Sequence, residues 1–164
     1  MAYLLDANVF IEAKNRYYGL DFCPGFWDWL VDRNAAGAVF SIEKVADELA
    51  AGIDELADWA DRRGAGFFLK PDQPVVPGLV RVSQWAKDSG FDAAAVSTFL
   101  DAADSYLIAH ALAHRHTVVT HERVDGSKKK IKIPVACIPL GVKFMSPFEM
   151  LRKERALFVL EKRS

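Results

Sequence analysis

Ala2-Tyr3-Leu4-Leu5-Asp6-Ala7-Asn8-Val9-Phe10-Ile11-Glu12 is the stretch from which the fold is read. Ala2 to Leu5 is a short apolar run that reads as a buried strand. It meets an acid, Asp6, and the apolar pattern resumes at Val9, Phe10 and Ile11. A carboxylate between two hydrophobic runs is costly to desolvate unless a cation or a donor meets it. In open α/β sheets, chemistry collects at the carboxyl ends of strands. The plainer alternative is that Asp6 caps the helix that follows, as Asp often does. The remaining acids weigh on that choice.

With 164 residues, 51% apolar and 26% charged, the chain has the length and composition of one globular domain, residues 1–164. Twenty-one basic residues against 22 acidic leave a net charge of −1, so only local patches could attract a polyanion. Cys23 and Cys137 fit no zinc spacing and make a weak case for a disulfide framework, and read most simply as reduced, core-filling thiols. Asp6 and Glu12 interrupt the N-terminal apolar stretch, which argues against a signal peptide. No segment approaches the roughly eighteen apolar residues of a membrane span. The expectation is a soluble, cytoplasmic protein with no membrane partner.

Strand-like and helix-like segments alternate outward from the opening. Val9 to Asn15 reads as a short helix, Ala38 to Ile42 as a second strand, and Glu43 to Gly52 as a helix. Ile42, Val45, Ala46 and Leu49 define that helix's inner face. Glu43 and Glu48 then fall on its two flanks and Asp47 points away, so helical geometry leaves Glu43 and Glu48 both open as inward-reaching acids. Glu55 to Arg62 continues as a helix and Gly66 to Leu69 as a strand. Pro71 to Pro77 reads as linker, Leu79 to Lys87 as a helix, and Ala93 to His114 as a long helix with a break near Asp101. Tyr17 to Trp29 is dense in aromatics, and a helix is expected beyond Pro24. Those rings could build core, a dimer contact or a base-stacking surface.

Asp101 and Asp104, three apart, share a face if their helix is continuous; if it restarts at Ala102 or Ala103, Asp104 becomes an N-terminal acid instead. His116-Thr-Val-Val-Thr-His-Glu122 repeats the opening's grammar, an apolar strand that delivers an acid, with Asp125 just beyond. Two strand-end acids, a helix-flank Glu and a helix Asp form an all-oxygen set suited to Mg²⁺ or Mn²⁺.

Four motifs resemble those of the PIN-domain nucleases, in particular VapC-like toxin ribonucleases. They are Leu5-Asp6-Ala7-Asn8, Val45-Ala46-Asp47-Glu48-Leu49, Asp104-Ser-Tyr-Leu-Ile-Ala109 and Thr120-His121-Glu122, in the family's order. The resemblance runs from Met1 to about Met150, and Gly141 to Glu149 looks like the family's closing strand and helix. The Tyr17–Trp29 segment and the Lys128–Lys130 insertion look like a less-characterised PIN-like branch. The resemblance implies a three-layer α/β/α domain with a central, mostly parallel sheet of about five strands. It implies an acidic site of Asp6, Glu48, Asp104 and Glu122 holding Mg²⁺ or Mn²⁺, with Glu48 preferred to Glu43. Asn8 would orient a carboxylate or water, Thr120 would support the fourth acid, and Asp101 would be a supporting acid. Glu122 stands where many members carry Asp, so Asp125 is a candidate to share its role.

The implied activity is endonucleolytic cleavage of RNA, in the setting of a toxin paired with a cognate antitoxin, with a homodimer as a further partner. The rival reading is a catalytically weak RNA-binding or scaffold protein. Arg123, Lys128, Lys129, Lys130 and Lys132 form the densest basic run and are candidates for phosphate contact. His110 and His114 lack an intervening Glu for a zinc hydrolase. A haloacid-dehalogenase-like phosphatase would need a second Asp where Asn8 stands. Ser146-Pro147-Phe148-Glu149 combines a capping box with an N-terminal proline, so a helix starts at about 147. Met150, Leu151, Leu157, Phe158 and Leu160 are expected on its apolar side, and Arg152, Lys153, Arg155, Lys162 and Arg163 make it basic.

Overall fold

A computed structural model describes residues 1–162. Arg163 lies outside them. The strands are β1 (Tyr3–Leu5), β2 (Val39–Ile42), β3 (Phe68–Leu69), β4 (Thr117–Val119) and β5 (Phe144–Met145). They form one sheet in the order β3-β2-β1-β4-β5, with every neighbouring pair parallel. Tyr3, Leu4 and Leu5 point alternately to opposite faces, yet all three are buried. Both faces of the sheet are therefore covered, as an all-parallel sheet requires. The chain steps outward from β1 to β3, then returns to build β4 and β5 on the other side. The order reverses between β1 and β4, the position at which open α/β sheets place their ligand crevice, outside the strands' carboxyl ends.

Helices α1 (Ala7–Glu12) and α2 (Pro24–Ala35) link β1 to β2, and α3 (Glu43–Ala50) and α4 (Glu55–Asp61) link β2 to β3. α5 (Val75–Asp88), α6 (Ala93–Asp101) and α7 (Ala103–His114) lead to β4, α8 (Ile133–Leu140) leads to β5, and α9 (Pro147–Lys153) follows. Phe10 fixes α1 to the core, fully buried among Trp59, Phe67 and Phe68 at ring distances of 5.9, 6.1 and 5.9 Å. Cys137 is buried with its thiol pushed up to about 12 by desolvation, and Cys23 is free. Among the described residues, no helix is long and apolar enough to cross a membrane.

Three local features depart from the sequence reading, and the break expected near Asp101 is found. The Pro71–Pro77 linker shortens because α5 starts at Val75, and Pro77 sits in its first turn, where no intrahelical N–H bond is lost. The Ala93–His114 helix breaks at Ala102, whose backbone is extended (ψ 170°), so Asp101 and Asp104 belong to different helices. α8 carries Pro134 and Pro139 and is apolar on every side, so it has no periodicity to read; Gly141, at φ +71°, ends it. α9 has the expected capping box but stops at Lys153, and Arg155 turns the chain at φ +54°. Leu157 and Leu160 are consequently exposed, while Phe158 folds back on Tyr18 and Phe26 at 5.9 and 6.2 Å.

Gly78 marks the closest approach of α5 to α7. A Cβ there would stand 2.8 Å from the Ala109 carbonyl oxygen. Backbone cannot yield as a side chain does, so Gly78→Ala is expected to lower stability by about 1–2 kcal/mol despite alanine's better helix propensity. Chemical denaturation measures this; an unchanged or raised midpoint would contradict it.

Candidate active site

Asp6 follows β1 directly, and its N–H donates to the Val119 carbonyl at 2.9 Å, tying the ends of β1 and β4 together. It occupies the N-cap position of α1 but makes no side-chain cap hydrogen bond. Its Oδ2 accepts instead from Thr120 Oγ1 at 2.8 Å, across 114 residues of sequence. Thr120 Oγ1 also accepts from Asn8 Nδ2 at 3.3 Å and from the Glu122 N–H at 3.0 Å. A hydroxyl has one proton to donate and two lone pairs, so its capacity is filled. Asn8 Oδ1 accepts from the His121 N–H at 3.2 Å, so Asn8 clamps the exit of β4 and reaches Asp6 only through Thr120.

The other acids arrive from α3, α7 and the segment after β4. Glu48 Oε1 accepts from the Ala103 N–H at 3.4 Å, at the open N-terminus of α7. Asp104 lies in the first turn of that helix. Glu43 borders a separate small cavity with Tyr106 and His110. Asp6, only 5% exposed, has its carboxyl pushed up to about 8 by burial and then by the charge of Asp104; Glu122 adds, while Thr120 and the Ala7 amide oppose. Asp104 is pushed up to about 7 by burial and then by Glu122, with Lys130 opposing and Glu48 adding. These couplings bring Asp6, Glu48, Asp104 and Glu122 into one electrostatic cluster.

Lys130 belongs to that cluster, which the sequence did not disclose. Its Nζ lies 3.7 Å from Glu122 Oε2, a buried oxygen with no hydrogen-bond partner among the described residues. An ammonium that is itself mostly exposed gives that carboxylate a weak partner. Asp125 is exposed, pairs with Lys132 and accepts from the Ser127 N–H, interactions that hold its carboxyl below the usual range. Asp101 is exposed at the end of α6, away from the helix face of Asp104. Lys128 lies over the Phe91 ring at 5.3 Å, Lys129 lines a cavity beside Asp104, and Arg123 is exposed after Glu122.

The donor set is all carboxylate, which suits a hard divalent cation. Burial and mutual repulsion raise Asp6 and Asp104, and the buried Glu122 oxygen has no hydrogen-bond partner among the described residues, so the set has room for a positive charge. Among the described residues, however, no three His, Cys, Asp or Glu side chains are gathered closely enough to ligate one ion. The residues suit such an ion in kind but are not drawn together around one point. Two histidines lie apart from the acids: burial pushes His110 down to about 4, and His114 pairs with Asp72 at 2.7 Å.

The aromatic segment divides. Phe26 and Trp27 are core, with Tyr18 stacked on Phe26 at 4.5 Å and Trp27 Nε1 donating to the Tyr18 carbonyl. Tyr17 ends a π turn (Ala13–Tyr17) that follows α1, and it stacks on His121 at 5.7 Å. Sequence reading missed this contact because no periodicity links residues so far apart.

The family model for the domain of unknown function DUF4411 matches residues 3–158. The chain belongs to that family. No curated protein matches it in sequence. Among solved structures, this DUF4411 domain resembles a chain of FitAB bound to an IR36 DNA fragment, with a TM-score of 0.55, 20% identity and 99% of each chain covered. It also resembles a chain of VapBC2 from Rickettsia felis bound to a DNA fragment from the promoter, with a TM-score of 0.53 and 14% identity. That likeness covers 89% of this chain and 98% of the other. FitAcB from Neisseria gonorrhoeae gives 0.52 and 20% over the same shares. The DUF4411 domain thus has the PIN-like α/β fold expected from its motifs, and at these identities the likeness is one of fold.

Proposed function

We propose that this DUF4411 domain is a metal-dependent endoribonuclease that hydrolyses RNA phosphodiester bonds. The observation carrying the reading is the mutual coupling of Asp6, Asp104 and Glu122, with Glu48 beside Asp104, in the crevice between β1 and β4. Asp6, Glu48, Asp104 and Glu122 would hold Mg²⁺ or Mn²⁺. The ion would supply an activated water and stabilise charge on the phosphate and the leaving oxygen. The chain's own residues prepare that place. Thr120 fixes one Asp6 oxygen, the Ala103 amide holds Glu48, and Asn8 keeps the end of β4 against α1. Lys130, mostly exposed beside Glu122, would meet the incoming phosphate. Arg123, Lys128 and Lys129 extend that rim, while Lys132 is occupied by Asp125.

Fold likeness to the VapBC2 and FitAB structures supports a toxin paired with a cognate antitoxin as the setting. One observation favours the second reading, a catalytically weak scaffold: Lys130 already stands beside Glu122, as a built-in cation would. Cleavage of structured and unstructured RNAs in Mn²⁺, Mg²⁺ or EDTA separates the two. The nuclease predicts metal-dependent cleavage that disappears in an Asp6→Asn, Asp104→Asn double variant. Wild type that neither cleaves RNA nor gains thermal stability from Mn²⁺ returns the scaffold.

A further inference from the structure

We propose that the cavity between the exit of β4 and the start of α9 is a nucleobase subsite, seating an unpaired base of the RNA strand against Phe148 and His121. The proposal rests on the ribonuclease reading and names how that site would hold its substrate. The cavity has a volume of about 360 Å³, and its lining includes Thr120, His121, Glu122, Arg123, Phe144 and Phe148. That volume falls within the range of small-molecule pockets. It shares Thr120 and Glu122 with the acidic cluster, so a base seated in it belongs to a nucleotide at the reacting phosphate.

His121 and Phe148 give the cavity an aromatic wall, and Tyr17 packs behind them outside the lining. His121 and Phe148 lie 5.6 Å apart at 66°, and Tyr17 backs both, stacked on His121 at 25° and edge-on to Phe148 at 5.1 Å and 88°. The π turn carries Tyr17 to this position, a local irregularity that recurs at functional sites. These rings are not core. Tyr17 is 42% exposed and His121 and Phe148 are partly exposed, whereas Phe26 and Trp27 in the same aromatic segment as Tyr17 are sealed. Flat, half-wetted rings beside an acidic crevice present a face to which any base can stack without sequence readout. Arg123, exposed at the rim, supplies the positive charge that the adjoining phosphate needs.

The test uses the full chain in EDTA, so that nothing is cut, and short single-stranded oligoribonucleotides carrying 2-aminopurine at successive positions. Stacking quenches that fluorophore. Wild type should quench it at one position. Phe148→Ala should abolish the quench and weaken binding about ten-fold, and Phe148→Tyr should retain both. Should Phe148→Ala fail to fold, His121→Phe, which keeps a ring, and His121→Ser, which removes one, decide in its place. Quenching unchanged in a folded Phe148→Ala overturns the subsite, as does failure to bind any oligonucleotide. A Phe148-dependent quench in a protein that never cleaves RNA keeps the subsite and sinks the nuclease; cleavage without any quench does the reverse.

Discussion

Asp6→Asn is expected to raise the melting temperature of the metal-free protein while removing its stabilisation by Mn²⁺ and reducing RNA cleavage about a thousand-fold, or ~4 kcal/mol of barrier. The three effects have one cause, the buried carboxylate. Asp6 is buried beside Asp104 and Glu122, and its carboxyl holds a proton to about pH 8, whereas an unfolded Asp releases it near 4. Below about pH 4 both states are protonated and Asp6 costs nothing. As pH climbs to about 8 the unfolded chain ionises, the folded one resists, and stability falls. Asparagine has the same shape, can still pair with Thr120 and carries no charge, so the gain should be at least about 2 kcal/mol at pH 8, or ~5 °C and upward. It should vanish at pH 4. Thermal melts of both proteins at the two pH values, with EDTA and with Mn²⁺, measure all of this. A destabilised Asp6→Asn in EDTA at pH 8 would mean that Asp6 is structural, and the metal reading would fall with it.

Mn²⁺ affinity should climb about a hundred-fold or more between pH 6 and pH 8. A cation entering the crevice must displace the protons held by Asp104 to about pH 7 and by Asp6 to about pH 8. Each displaced proton makes affinity rise ten-fold per pH unit until its group ionises. Calorimetric titration with Mn²⁺ in two buffers of different ionisation enthalpy counts those protons directly. Between one and two should be released at pH 7, and fewer in Asp104→Asn. Affinity that is flat across this range would mean that the ion binds to exposed acids outside the crevice.

Much of the fold could be read from local pattern. The apolar runs ending at Asp6, at Ile42 and before Thr120 are strands because each is short, β-rich and stopped by a polar residue. The capping box at Ser146 was legible because its chemistry lies within four residues. α8 was not, because a uniformly apolar segment with two prolines offers neither period nor propensity. The length of α9 was misread because Phe158 is drawn to a distant aromatic cluster rather than to its own helix face.

For the site, the sequence by itself determined the donor types, the strand ends that carry Asp6 and Glu122, and the choice of Glu43 or Glu48 as the helix-flank acid. Only the tertiary structure decided which of these meet. It joined Thr120 to Asp6, set Glu48 beside Asp104 rather than Glu43, and turned Asp125 out to Lys132. It also brought Lys130 to Glu122 and Tyr17 to His121. Local sequence fixes which dihedrals and which faces a segment prefers, over a few residues at a time. Charge coupling and ring stacking act through space, between groups that the order β3-β2-β1-β4-β5 makes neighbours even where, as for Thr120 and Asp6, the chain keeps them 114 residues apart.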